Sequence, residues 1–193
     1  MLEVEKRTIF MSSNYPKRKR AICMSVMTEP KIENRQAQPY MGIRTRVPMQ
    51  KLDVAIPQGL GEIFAFLGKY GVGPVNAPFV RYHIINMPEM LDIEVGVPVA
   101  NTLPDEGHIH GGVLPAGRYA SLIYTGIDHG IQGNAALLEW GVSQGLVWDR
   151  WETKDGDAFG SRLEIFLTNP GEEPDREKWE TEVAIRLADT QEG

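Results

Sequence analysis

From Tyr40 onward the chain passes twice through the same order of local signals, and this limits its fold more than any other feature. The first pass opens on the strand "YMGIRTRVPM". "PQGLGEIFAFLGKYG" then reads as a helix, with Pro57 suited to the first turn and Leu60, Ile63, Phe64 and Leu67 on one stripe. Gly71 and Gly73 stop it, and the strands "APFVRYHII" and "LDIEVGVPVA" follow. The second pass has the strand "GRYASLIYTG", then a helix from Asp128 to about Gly145 with Ile131, Ala135, Leu138 and Val142 on its stripe. It ends with "SRLEIFLTN" and "ETEVAIRLAD". The closing strands resemble each other, "IEVGVPVAN" against "TEVAIRLAD".

Each helix needs a sheet to cover its stripe, and hairpin-linked strands make that sheet mostly antiparallel. The expectation is an α+β fold of duplicated β-α-β-β units forming one mostly antiparallel sheet, with two helices on one face and a ligand-sized groove between them. The expected boundaries are a tail over 1–37, a domain over 38–189 (repeats at about 38–100 and 112–189), and a short C-terminal tail over 190–193.

Charge divides the chain unevenly. Residues 1–35 carry eight Lys/Arg against four Asp/Glu, whereas the rest carry 12 against 22. An acidic body argues against direct nucleic-acid binding, which needs basic surface. The stretch before Tyr40 contains Pro16 and Pro30 and no sustained period, so it reads as a flexible basic tail whose Lys17–Arg20 cluster is solvated. Met24 and Met27, just ahead of the first expected element, are compatible with a start downstream of Met1. The single cysteine, Cys23, excludes an intrachain disulfide and a cysteine-based zinc site. No run approaches the roughly 20 apolar residues of a membrane span, so the expectation is a cytoplasmic protein with no membrane partner.

Among candidate chemistries, "GHIHGG" looks first like a metal site. His108 and His110, with Glu106 near, lack a third ligand at a useful spacing, since the position four residues on is Leu114. They also fall in the connection between the repeats, where a loop is expected, so no metal is assigned. There is no Gly-x-Ser-x-Gly elbow, phosphate loop or dinucleotide fingerprint, and no cofactor is expected.

"SRLEIFLTNP" is more informative. Strand alternation puts Leu163, Ile165 and Leu167 on one face and Arg162, Glu164 and Phe166 on the other. Burying Glu164 without a partner is costly, so its place in an apolar strand marks a site. Tyr82, Trp140 and Trp179 are aromatic candidates to stand near it, and ring faces with a desolvated carboxylate suit planar cations.

At these residues the chain resembles the gyrase-inhibitor-like small-molecule-binding family, which also supplies the effector domains of multidrug-responsive transcription regulators. The carriers are "PFVRYH" leading to "DIEVGVPVA", then "LPAGRYASLIYTG", "ALLEW", "LEIFLTNP" and a Trp-x-Thr-Glu before the last strand, over about residues 38–189. The resemblance implies a groove for bulky aromatic or cationic compounds with Glu164 at its base and Trp179, Trp140, Tyr82 and Phe166 as lining. Phe166 stands where the family often has tyrosine. With no helix-turn-helix before Tyr40, a stand-alone effector domain is expected.

Three functions follow from the resemblance. The first is binding of hydrophobic or cationic small molecules for sensing, sequestration or detoxification. The second is hydrolysis of reactive cyclopropanes in DNA-alkylating natural products, with Glu164 positioning water and Tyr82 or Tyr124 as hydroxyl donors. The third is inhibition of a DNA topoisomerase through a surface such as "NPGEEPDREKWE". The sequence leaves the oligomeric state open.

Overall fold

The structure is a computed structural model that describes residues 26–87 and 89–189. In chain order the elements are β1 (Lys31–Arg35), β2 (Gln38–Val47), α1 (Leu52–Lys69), β3 (Phe79–Ile85), β4 (Leu91–Pro98) and β5 (His110–Leu114). They continue with β6 (Gly117–Thr125), α2 (Gly130–Ser143), β7 (Arg150–Thr153), β8 (Gly156–Phe159), β9 (Arg162–Phe166) and β10 (Glu180–Arg186). The two β-α-β-β units are β2-α1-β3-β4 and β6-α2-β9-β10, and every strand pair is antiparallel.

Each unit has a leading strand that the sequence did not reveal. β1 lies within residues 1–37, read above as tail, and β5 begins at His110, read above as part of a loop. Lys17–Arg20, Cys23 and Met24 lie outside the described residues. The leading strands are exchanged: β1 pairs with β6 of the second unit and β5 with β2 of the first. The pairs Lys31–Ser121, Arg35–Gly117, Gln38–Leu114 and Gly42–His110 fall on one register, so the two ladders form one antiparallel ribbon. Because β2 also pairs with β4, and β6 with β10, the sheet curls until its ends meet.

This curl gives the sheet an inner and an outer face. Both helices cover the outer face. α1 packs Ile63, Phe66 and Leu67 on Met41, Val80, Ile93 and Val95, while α2 packs Leu137 on Leu122, Val183 and Ile185. The inner face buries Tyr40, Phe79, Leu114, Tyr119, Leu163 and Ala184 with no helix over them. At the centre, β3 lies against β9 with Val80 opposite Glu164. The flanking pairs Phe79–Gly96 and Leu163–Ala184 are equivalent in the two halves, as are Tyr82–Ile93 and Phe166–Thr181. Glu164 therefore sits beside the pseudo-twofold axis, and Val80 is its counterpart in the first repeat.

The helices themselves depart from the periodicity. α1 begins five residues before Pro57, which falls inside the helix, and Phe64 is exposed whereas Phe66 is buried. On α2 the buried positions are Gly133, Leu137 and Gly141, and both Ile131 and Val142 face solvent. The cause is close approach. A Cβ on Gly133 would lie 2.7 Å from the Tyr124 ring, and one on Gly141 would strike Trp148. Glycine has no hydrophobic signature, so apolar periodicity points to Ile131 and Val142 while Gly133, Leu137 and Gly141 carry the packed face. The β7–β8 hairpin, also absent from the sequence reading, joins the sheet through Ile84–Ala158 and Ile85–Asp157.

Candidate functional site

Alternation along β9 turns Glu164 to the outer face, in register with Val183 of β10 and Val80 of β3. One carboxylate oxygen accepts from Asn134 Nδ2 of α2 at 2.8 Å and the other from the Tyr82 hydroxyl at 3.2 Å. Arg162, two residues earlier on the same face, donates through Nη2 to Asn134 Oδ1 at 2.7 Å. Its guanidinium lies 4.9 Å from the centre of the Phe159 ring, and its buried Nε has no partner. Asn134 thus stands between a cation and a carboxylate, touching both.

The electrostatics follow from this neutral shell. Burial pushes the Glu164 carboxyl above its usual range, and Asn134, Tyr82 and the charge of Arg162 offset only part of that. Burial, then the Glu164 charge, raises the Tyr82 hydroxyl well above its ordinary value; the same two causes raise Tyr124. Both hydroxyls are therefore protonated donors across physiological pH. Burial lowers the Arg162 guanidinium from its ordinary value.

The six candidate residues are brought together unequally. Glu164 and Tyr82 are hydrogen-bonded, and Tyr124 stands on the outer face opposite Thr181, itself opposite Phe166. Phe166 packs against the cluster that contains Tyr82. Trp179 is half-buried two residues before Thr181, with its indole nitrogen donating to the Glu173 carbonyl at 2.8 Å and Arg176 over its ring at 5.4 Å. Trp140 packs on the α2 side of the second cluster, six residues from Asn134 and so roughly 120° round the helix from it. The structure does not bring Trp140 to Glu164.

Asn134 and Arg162 were missed. The signals in the sequence are Arg162 as a charge sharing the Glu164 face and Asn134 as an amide beside the small and apolar Ala135–Leu138 run.

His108 and His110 diverge. His108 Nε2 meets Glu62 of α1 at 2.6 Å, and His110 Nε2 meets Glu94 of β4 at 2.9 Å. Glu94 is a second carboxylate, buried (2% exposed) on the inner face, and its other oxygen is met by His83 Nε2 at 2.7 Å. A register shift between Tyr82 and Ile84 marks His83 as the extra residue of a bulge, which turns its ring to Glu94. Among the described residues no group of three His, Cys, Asp or Glu is placed to hold a metal ion, and no helix is long and apolar enough to cross a membrane.

Comparison with known proteins places this fold. Residues 28–188 match the family described as the GyrI-like small molecule binding domain. No curated protein matches the chain in sequence. Among solved structures, EcmrR in its DNA complex superposes with a TM-score of 0.67 at 18% identity, over 86% of this chain but 59% of that one. The EcmrR C-terminal domain alone gives 0.62 at 19% identity, over 84% and 98%. A hydrolase from Listeria innocua gives 0.59 at 11% identity, over 83% and 92%. SAV2435 bound to tetraphenylphosphonium gives 0.56 at 12% identity, over 83% and 94%. At these identities the structures speak for the fold alone. With five-sixths of its residues matched in sequence, the chain belongs to the GyrI-like small-molecule-binding family.

Proposed function

We propose that the chain binds bulky aromatic cations on the outer face of the sheet, between α1 and α2, with Glu164 as the charged contact. The observation that carries this reading is the composition of the carboxylate's shell. Its direct partners, Asn134 and Tyr82, are neutral, and the nearest cation reaches it only through Asn134. A desolvated carboxylate so held still lacks a direct countercharge, and a desolvated organic cation supplies one. Phe166, Tyr82 and Tyr124 offer rings for its apolar body, and Trp179 flanks the end of β10. Binding of tetraphenylphosphonium by SAV2435 supports the ligand class.

The test is quenching of tryptophan fluorescence by tetraphenylphosphonium and by planar cationic dyes. Glu164→Gln is expected to weaken binding roughly tenfold to a hundredfold, the loss of one charge-assisted buried contact. Equal affinity in Glu164→Gln and wild type sinks the assignment.

Hydrolysis of cyclopropane-bearing alkylators is the second reading, favoured by one arrangement. A carboxyl raised by burial is a better proton acceptor than an exposed one, and the protonated Tyr82 and Tyr124 hydroxyls suit a developing oxyanion. Water would add across the strained carbon–carbon bond, its proton passing through Glu164 to the substrate. A ring-opened product seen by mass spectrometry with wild type, and lost in a Glu164→Gln protein that still binds, would favour catalysis over sequestration.

A further inference from the structure

We propose that the mouth of the curled sheet is a second small-molecule site, separate from the site at Glu164, and that it takes an uncharged planar aromatic molecule. A cavity of about 430 Å³ opens there, on the inner face, within the size range of small-molecule sites. Phe79, Tyr119, Leu163 and Ile165 form its apolar wall, drawn from both repeats, and the exposed Leu167 forms a lip.

The charge of the ligand follows from the rim. Arg35 Nη2 meets Glu33 and Glu182, each at 2.7 Å, and Lys31 meets Glu33 at 2.8 Å. Two cations thus face two carboxylates, and the Arg35 guanidinium also lies 5.2 Å from the centre of the Tyr119 ring. The amides carry no charge: Asn76 donates to Gln38, which donates to the carbonyls of Pro39 and Val99, and Gln36 is exposed to solvent. With rim charges balanced and the amides neutral, nothing there selects an ion, and what remains is apolar wall with aromatic edges. The outer site has the opposite character, one carboxylate short of a direct countercharge. The two sites use alternate side chains of one strand, Leu163, Ile165 and Leu167 inward and Glu164 and Phe166 outward.

The probe is N-phenyl-1-naphthylamine, an uncharged fluorophore that brightens on leaving water, titrated into the full chain alongside tetraphenylphosphonium. Ile165→Trp fills the cavity, and Leu167→Trp obstructs its lip at an exposed position where folding is not at risk. Both are expected to weaken the fluorophore at least about tenfold and about threefold respectively, leaving tetraphenylphosphonium within about twofold, which are readable factors in affinity. Glu164→Gln is expected to leave the fluorophore unchanged. No saturable fluorophore binding, or binding lost in Glu164→Gln and unaffected by Leu167→Trp, overturns the proposal. A failure of tetraphenylphosphonium to bind would count against the outer-face reading alone.

Discussion

Glu94, buried, and Glu164, half-buried, are carboxylates on opposite faces of one sheet, and their surroundings oppose each other. Glu94 has a histidine on each oxygen, His83 and His110, with the Tyr40 hydroxyl adding to the shell. Burial alone would push its carboxyl up, but His83 and Tyr40 as donors and the charge of both histidines outweigh that and leave it below the usual range. Glu164 has an amide and a phenol, and its carboxyl rises. Two desolvated carboxylates therefore have opposite electrostatics, decided by the groups that meet them. Both Glu94 oxygens are met by histidines of its own sheet, so its shell belongs to the architecture. The shell at Glu164 is neutral, and on this rests the proposal of a charged ligand at the outer face.

The largest expected effect separates these roles by stability. Glu94→Gln leaves two histidines without their anion and is expected to cost about 2–4 kcal/mol near neutral pH, the range for breaking a buried charged network. Glu164→Gln keeps a hydrogen-bond acceptor for Asn134 and relieves a disfavoured charge, so it is expected to stay within about 1 kcal/mol of wild type. Urea denaturation of the pair measures both. Equal losses would mean that Glu164 is as structural as Glu94.

A smaller effect breaks only the inner face. A Cβ on Gly42 would lie 2.9 Å from both Glu94 Oε1 and the Tyr40 ring, with the Val95 carbonyl at 3.1 Å. Gly42→Ala is expected to lose about 1–3 kcal/mol through overpacking. Its affinity for tetraphenylphosphonium should not change, because β2 contributes to the outer site only through its other face. A parallel loss of affinity would show that the two faces are mechanically coupled.

Much of this contrast could be read from the residues. Alternation in "SRLEIF" puts Glu164 on the face of Arg162 and Phe166, opposite Leu163 and Ile165, and the doubled order of elements gives the two β-α-β-β units. The same logic passed over Glu94, because in "LDIEVGVPVA" it follows Asp92 on the alternate face and looks like an ordinary solvent position. Only the curl of the sheet encloses that face, and the curl depends on β1 and β5, short strands whose partners lie in the other repeat. Pairing at such separation leaves no local period. The bulge at His83 is equally silent, and so is the fit of Gly133 and Gly141 against Tyr124 and Trp148, since the missing side chain is the signal.

The smallest effect lies in the pH dependence of stability, where the two carboxylates pull in opposite directions. The folded value of Glu164 is raised, so the folded state holds its proton more tightly than the unfolded chain. That contribution is fully present below the unfolded carboxylate range, about pH 4.3, and is lost as pH rises through the folded value. The folded value of Glu94 is lowered, so its contribution is present above about pH 4.3 and is lost as pH falls through the folded value. In the wild type the two slopes partly cancel. Glu164→Gln removes the first, so from neutral pH into acid it should lose stability more steeply than wild type. Glu94→Gln removes the second, so it should lose less stability on acidification than wild type does. Groups outside the two shells titrate alike in all three proteins and cancel in the differences, so the sign of each difference reports its own carboxylate together with the groups bonded to it. Two variants whose differences share a sign would show that the carboxylates do not respond oppositely to their shells.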